Sequence, residues 1–422
     1  MTVVEYRTIP EAELDRALDL HYLVFLQKDP EGELRKLHRE ILERCLRIGA
    51  YEDGELVGLL GAHAMSLSVP GGELSCAGVT FVSVSPTHRR RGVLSGMIAE
   101  LWRRCAEREV PLAALWVSEA TIYGRFGFEP ATRSYSVEID TEHPLELRIA
   151  PDERPLRLVP PEKAPKVIGA AHRTAREGRA GRVGRDEFWW RTHILPDEDG
   201  ENDDLSAPRV VTIGDPGAPP AGYVIYRTES NDEGRGRLHI GELEADSPAV
   251  AAALWRYVTS VDLVDKVRAW GRPLDDPLLR FAADRDQVSV VQEFPALWLR
   301  LVDVPGALAG RAWSAPVDLV LEVTDAGLPE NAGRFRLTVT GTGADGVGTG
   351  GDDAGPVVRV DRTEEAPDLT LDVRELAACY LGDLDPAELV RAGLAVEHTA
   401  GAAARLGAAS RTELLPHTTD EF

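Results

Sequence analysis

Residues 79–96, VTFVSVSPTHRRRGVLSG, carry the densest chemistry in the sequence. An alternating strand through Val79, Phe81, Val82 and Val84 runs into Pro86, then Arg89, Arg90, Arg91 and Gly92, and a helix is expected to follow. Such a passage leaves the first N–H groups of the helix without intrahelical acceptors, at the end where the macrodipole favours negative charge. Gly92 permits close approach of the backbone or a positive φ, and guanidinium groups bind phosphate oxygens. The spacing therefore offers a pyrophosphate cradle. Three arginines in a row are more often a solvated face. The strand before them and the amphipathic helix after them single this loop out.

A second constellation, WVSEATIYGRFGFEP, lies about thirty residues on. It sets Ser118 and Glu119 at the end of a strand expected over Leu112–Ser118, and Tyr123 in a helical turn before Gly124. Phe126 and Phe128 read as core aromatic residues, and Glu119 is a candidate general base. Phe25, Phe81 and Trp116 fall in segments able to line a cleft, although core packing is the preferred reading of each. His88 is expected exposed in its turn, and His63 hydrogen-bonded within a strand. On residue types alone the tail HTTDEF, ending at Phe422, is an acidic, frayed terminus. Cys45, Cys76, Cys105 and Cys379 lack the paired spacing of a metal or disulfide framework, and no metal site is expected.

Holding these groups requires a sheet covered by helices. Helices are expected over Glu11–Leu26, Glu31–Ile48 and Val93–Arg108, and strands over Glu55–Val69, Leu74–Ser85 and Ala131–Ile139. Val93, Leu94, Met97, Ile98, Leu101, Trp102 and Cys105 recur every three or four residues and must face a core. A proline-punctuated segment, 141–166, closes this first stretch. A second α/β pattern follows with no phosphate motif. After about residue 293 come alternating strands (LWLRLVDV, VDLVLEVTD, RFRLTVTG), a glycine-rich loop and three short helices, DVRELAACYLG, DPAELVRAGL and GAAARLGAAS. The fold class is thus α/β and α+β multi-domain, divided at 1–145, 146–296 and 297–422.

The 422 residues are 43% hydrophobic, enough for several cores. The net charge of −23 disfavours nucleic acid and anionic membranes as partners and suits a cationic substrate. The first residues show no signal peptide, and no apolar run approaches ~18 residues, so a cytoplasmic protein without a membrane span is expected.

The segment Val82, Val84, Pro86, Arg89, Arg90, Gly92 resembles motif A of the GCN5-related N-acetyltransferase superfamily, V-x-V-x-P-x-x-R/Q-R-x-G-x-G/A, with Leu94 in place of the final small residue. The resemblance implies acetyl-CoA as co-substrate. Its pantetheine would add to the splayed strand at Val82, Ser83 and Val84, and its pyrophosphate would lie on Arg90, Arg91, Gly92, Val93, Leu94 and Ser95. Ser118 and Glu119 would also touch the coenzyme. Tyr123 would protonate the departing thiolate, and the Val82 N–H would polarise the thioester carbonyl. THRRRG followed by SEATIYGRFGFEPAT, a chain of this length and a final phenylalanine are similar to the Eis (enhanced intracellular survival) family. That resemblance implies tandem GCN5-related acetyltransferase folds plus a C-terminal sterol-carrier-protein-like domain. It further implies a homohexamer, acetyl transfer to aminoglycosides, polyamines or lysine side chains, and the Phe422 carboxylate as proton acceptor. The competing expectation is a carrier protein, with an apolar ligand in residues 297–422 and an acetyl-CoA-sensing first domain.

Overall fold

The computed structural model describes residues 3–28, 32–196, 204–230, 235–341 and 357–422. The glycine-rich loop lies outside these from residue 342 to 356. The chain divides into two compact units, Met1–Thr132 with Leu297–Glu413 and Phe422, and Arg133–Ala296 with Leu414–Glu421.

In the first unit a seven-stranded sheet runs in the order Glu5–Thr8, Leu46–Glu52, Glu55–Val69, Gly72–Val84, Leu112–Leu115, Trp298–Leu301, Glu129–Pro130. Adjacent strand residues point to opposite faces, and two separate cores result. Leu14, Ala17, Leu18 and Tyr22 of helix Leu14–Phe25 pack on Tyr51, Leu56 and Leu59, joined by Leu42 of helix Glu33–Arg44. On the other face, the stripe Val93, Met97, Ile98, Leu101, Trp102 and Cys105 of helix Val93–Glu107 packs on Ile48, Leu60, Ala62, Val79 and Ala113. Each large apolar side chain so enclosed contributes ~1.5–3 kcal/mol.

The helix expected to reach Ile48 stops at Arg44; Cys45 is extended, and Leu46–Glu52 pairs on both sides as a strand. Two strands also lie across the expected boundaries. Arg133–Asp140 pairs with Val264–Pro273 and Val288–Pro295 in the second unit, so the break falls after Thr132 instead of at 145. Trp298–Leu301, assigned by sequence to the C-terminal stretch, pairs with Leu112–Leu115 and Glu129–Pro130 in the first sheet. Leu112–Leu115 is entirely buried, so its backbone groups need partners along both edges. The returning chain supplies the second set.

That returning strand carries Arg300, fully enclosed and ion-paired with the equally enclosed Asp325. Asp325 also accepts from the Asn331 side chain at 3.1 Å and from the Leu328 N–H at 2.9 Å. Gly127 (φ +82°) makes room for the guanidinium: a Cβ there would lie 2.2 Å from Arg300 Nη1.

The C-terminal part of the first unit is a five-stranded sheet ordered Val357–Arg362, Gly333–Thr340, Val317–Thr324, Leu369–Asp372, Ala395–Glu397. The three short helices expected here form as Val373–Tyr380, Pro386–Ala392 and Ala402–Ser410. The first two are capped by the Asp372 and Asp385 carboxylates. The buried side chains of this part include Leu321, Phe335, Leu337, Leu376, Tyr380 and Leu406.

The second unit has its own seven-stranded sheet, in the order Val288–Pro295, Arg133–Asp140, Val264–Pro273, Gly236–Ala245, Gly222–Ser230, Arg209–Ile213, Leu156–Val159. Gly236–Ala245 and Val264–Pro273 run parallel and remain paired only as far as Ile240 and Ala269. Within this unit Arg185 bonds both Asp420 (2.7 Å) and Glu242 (2.5 Å), and Asp420 also accepts from the Trp189 indole at 3.0 Å. Among the described residues no helix is long and apolar enough to cross a membrane, and no three His, Cys, Asp or Glu side chains are grouped to hold a metal ion.

Asp325→Ala would strand the Arg300 charge in the core. Removing one partner of a buried pair costs ~3–5 kcal/mol, so the urea midpoint of the transition involving the first unit should fall accordingly. A loss below ~1 kcal/mol would show that the pair is not what fixes the returning strand.

Candidate active site

The site begins where a strand loses its neighbour. Gly72–Val84 pairs in parallel with Leu112–Leu115 at three positions only: Cys76 with Leu112, Ala77 with Ala113 and Gly78 with Ala114. Beyond Gly78 the two strands part, and the main chain from Val79 to Val84 has no strand on that edge among the described residues. On its other edge the pairing with Glu55–Val69 slips, so that Phe81 and Val82 together oppose Leu60. This bulge holds Phe81 at φ +52°, a conformation costly for an aromatic residue. Val82 and Val84 turn their side chains into the core beside helix Val93–Glu107. Their backbone amides stay available for an extended ligand to pair with.

The strand continues into a 3₁₀ turn, Pro86–His88, and then the arginines. Arg90 (φ +61°) and Gly92 (φ +83°) are both left-handed, which turns successive N–H groups toward one side. The first intrahelical bond closes only from Gly96 N–H to Gly92 C=O, at 3.0 Å. Val93, Leu94 and Ser95 therefore present amides at the helix start, and no side chain caps them. A Cβ on Gly92 would meet nothing within 4 Å and would project into open space. The residues fit an anion laid across this turn.

The arginines differ in state. Arg91 pairs with Glu52 at 2.5 Å, and His88 bonds the same carboxylate at 2.9 Å. Arg91 foremost, with the His88 hydrogen bond, holds the Glu52 carboxyl below its usual range. Arg91 thus braces the turn, while Arg89 and Arg90 are exposed and make no ion pair among the described residues. His88 is half-buried where exposure was expected. Ser83 is buried, and its hydroxyl bonds His21 Nδ1 at 3.2 Å, so the main chain is what it can offer to a coenzyme.

The strand expected to reach Ser118 ends at Leu115; Ser118 and Glu119 are exposed in the connection to the short helix Ala120–Tyr123. Tyr123 is buried in the apolar cluster that includes Val93 and Met97, edge-on to Phe128 at 6.1 Å. Burial, with help from the Glu119 charge, pushes its phenol up to about 12. The hydroxyl stays protonated at neutral pH and has no acceptor among the described residues.

The opposite face of the sheet carries a group that sequence reasoning passed over. His21 lies 4.6 Å from Phe25 and 5.0 Å from Phe81, ring to ring, and His38 bonds the Tyr22 hydroxyl at 2.8 Å. Burial, reinforced by His38, lowers His21 to about 4, and burial lowers His38 as well, so both imidazoles are neutral at pH 7. Phe25 is 38% exposed, contrary to the core packing expected of it. The spacing of His21 and Phe25, one helical turn apart, is the sole signal in the sequence. The Phe422 ring is also on this face, edge-on to His63 at 6.0 Å. The structure thus gathers Val82, Val84, Val93, Leu94 and Tyr123 around one core and sets Phe422 on the other side of the sheet.

In the second unit the equivalent strand-to-helix turn is built differently. Helix Pro248–Val258 starts with a proline, which has no N–H, and Ser247 Oγ caps it through the Val250 N–H. Asp246 precedes the cap. Pro248 and the Ser247 cap thus leave this turn fewer free donors than the turn at Gly92.

A family profile described as an acetyltransferase (GNAT) domain matches residues 5–131, a second of the same description matches 181–301, and a sterol carrier protein domain matches 304–418. An uncharacterised N-acetyltransferase of Streptomyces coelicolor is 37% identical over 402 residues, covering 92% of each chain. N-acetyltransferase Eis of Mycobacterium tuberculosis is 30% identical over 385 residues, covering 89% of this chain and 88% of its own. The crystal structure of Eis1 from Mycobacterium abscessus superposes with a TM-score of 0.83 at 31% identity over the whole of both chains. Acetyl-CoA is the co-substrate of such acetyltransferase domains, and the cradle at Gly92 suits its pyrophosphate. Two acetyltransferase folds and a sterol-carrier-like domain in this order, on a chain this similar over nearly its whole length, make the protein an N-acetyltransferase of the Eis family.

Proposed function

We propose that this enzyme transfers the acetyl group of acetyl-CoA to primary amines of polycationic acceptors, such as aminoglycosides, polyamines or lysine side chains. The observation that carries this reading is the fork beyond Gly78 ending in the uncapped turn at Gly92. There the main chain of Val82, Ser83 and Val84 would take the pantetheine. The amides from Arg90 to Ser95, with the Arg90 guanidinium, would take the pyrophosphate, and Ser118 and Glu119 would flank it. Arg91 acts on the shape of the turn through Glu52.

In this reading the neutral amine attacks the thioester carbonyl, a C–N bond forms, and the C–S bond breaks. The Val82 N–H steadies the charge developing on the carbonyl oxygen. The carboxylate of Phe422 draws the ammonium and receives its first proton, directly or through water; Tyr123 gives a proton to sulfur and is restored, through water, by the second proton, which leaves nitrogen as the amide forms. A phenol near 12 is a reluctant acid for a thiolate in water. Enclosure raises thiols equally, as Cys45 and Cys105 of the same unit show, each lifted to about 12 mainly by burial. A thiolate leaving into apolar surroundings would likewise be more basic than in water and take a proton more readily. The acidic chain attracts cations. A cytoplasmic homohexamer completes the proposal.

Gly92→Val would strain a backbone at φ +83° and push a side chain into the cradle. Calorimetry should show acetyl-CoA binding weakened at least ~10-fold, since three or more main-chain hydrogen bonds to charge are at stake. Unchanged affinity would move the coenzyme elsewhere. Tyr123→Phe should lower kcat for free-thiol release by ~10²-fold or more, within the range for loss of a general acid, with coenzyme affinity kept. Wild-type turnover in that variant would remove Tyr123 from the proton path, and an acceptor screen with mass-spectrometric counting of acetyl groups would identify the amine.

A further inference from the structure

Gly78 stands at the crotch of the fork, in the middle of the strand Gly72–Val84. Its φ is not left-handed, so the backbone does not call for glycine. A glycine in a strand interior weakens the strand, and where it persists it marks a close approach by another group. Two groups come that close, the Met65 side chain and the Phe422 ring. A Cβ built on Gly78 would lie 3.0 Å from Phe422 Cε2 and 2.9 Å from Met65 Sδ. Ala77 and Val79 point into the core of helix Val93–Glu107, so position 78 faces the other way, toward Phe422.

The residue directly across the ladder from Gly78 is His63. In an antiparallel pair the two side chains would sit side by side. With one missing, a notch opens next to the imidazole, and the Phe422 ring occupies it at 86° to the His63 ring. His63 Nδ1 is 3.7 Å from Cys45 Sγ, a contact that orients the imidazole. Edge-to-face packing at this separation is attractive and directional.

We propose that the Gly78–His63 cross-strand pair, closed by Met65, is a socket that seats the ring of Phe422 and so positions the last residue at the fork. The inference rests on the role given above to the Phe422 carboxylate and extends it. The acid group is placed by its own side chain. Gly78 and His63 are positioning residues in this scheme and touch neither coenzyme nor amine.

The test uses the full chain and the variants Gly78→Ala, Phe422→Leu and their combination. Each single change keeps the terminal carboxylate and should lower kcat at least tenfold, since misplacement by ~1 Å can cost up to ~10²-fold, with acetyl-CoA affinity within twofold of wild type. With the large ring gone the flexible Met65 side chain can move aside from the added methyl, so the loss in the double variant should stay close to that of Phe422→Leu. Release of residue 422 by carboxypeptidase should be at least tenfold faster in Gly78→Ala than in wild type, whether or not the acceptor amine has been found. Phe422→Leu alters no strand and keeps the test open should Gly78→Ala fold poorly. Equal release rates, or losses that multiply in the double variant, would overturn the socket while leaving the transferase reading intact. A wild-type chain that protects its last residue yet acetylates no amine would overturn the transferase reading and leave the socket standing.

Discussion

The parting of two parallel strands after three paired residues is the constraint on which the rest of the first unit depends. Backbone amides are seldom left unpaired in a folded interior, because each buried orphan costs ~1–3 kcal/mol. From Val79 to Val84 one strand edge is kept without a strand partner, and the neighbouring elements are arranged around that edge. The bulge at Phe81 and Val82 bends the strand away. The turn at Arg90 and Gly92 extends the row of free amides into the helix start. The short strand Leu112–Leu115 cannot follow the divergence, and it is stabilised on its far side by Trp298–Leu301. That returning strand needs Arg300 enclosed, Arg300 needs Asp325, and Gly127 must lack a side chain to admit the guanidinium. A gap suited to a ligand is thereby held open by contacts that never approach it.

Two glycines of this site act by opposite means. Gly92 is glycine for its backbone: φ is +83° and the space beyond its Cα is empty. Gly78 is glycine for its surroundings: φ is ordinary and the space is filled by Phe422 and Met65. Sequence shows the first, because RRRG before a helix is a local pattern with a local cause. It hides the second, because the side chain that fills the notch comes from the far end of the chain.

The same division explains what could be read in advance. The stripe from Val93 to Cys105, the cradle, the three capped or alanine-rich C-terminal helices and the broad three-part layout follow from periodicity, capping and motif, all short-range. The strands Leu46–Glu52 and Trp298–Leu301 were misassigned because pairing settled their place. In isolation LWLRL fits any sheet. The arginine run is legible as a cation source, yet Arg91 braces the loop through Glu52, 39 residues earlier in the chain and indistinguishable in sequence from any surface glutamate. His21 and His38 escaped notice because neutrality in a histidine comes from burial beside other rings, and nothing in a helix sequence records what will cover it.

The second unit shows how differently the corresponding strand-to-helix turn can be built. Its sheet repeats the essential geometry: parallel strands Gly236–Ala245 and Val264–Pro273 that stop pairing at Ile240 and Ala269, followed by a helix from the strand end. A fold with this fork is not by itself a binding site. At the turn, Pro248 removes one helix-start donor and Ser247 engages another. Asp246 stands immediately before the cap. Each change is favourable for the helix, since proline at the first turn and a serine cap both stabilise it. The first unit forgoes both at Gly92 and leaves its helix start uncapped. The difference between the two turns is therefore a trade of local helix stability for unsatisfied donors, and unsatisfied donors are what an anionic co-substrate binds.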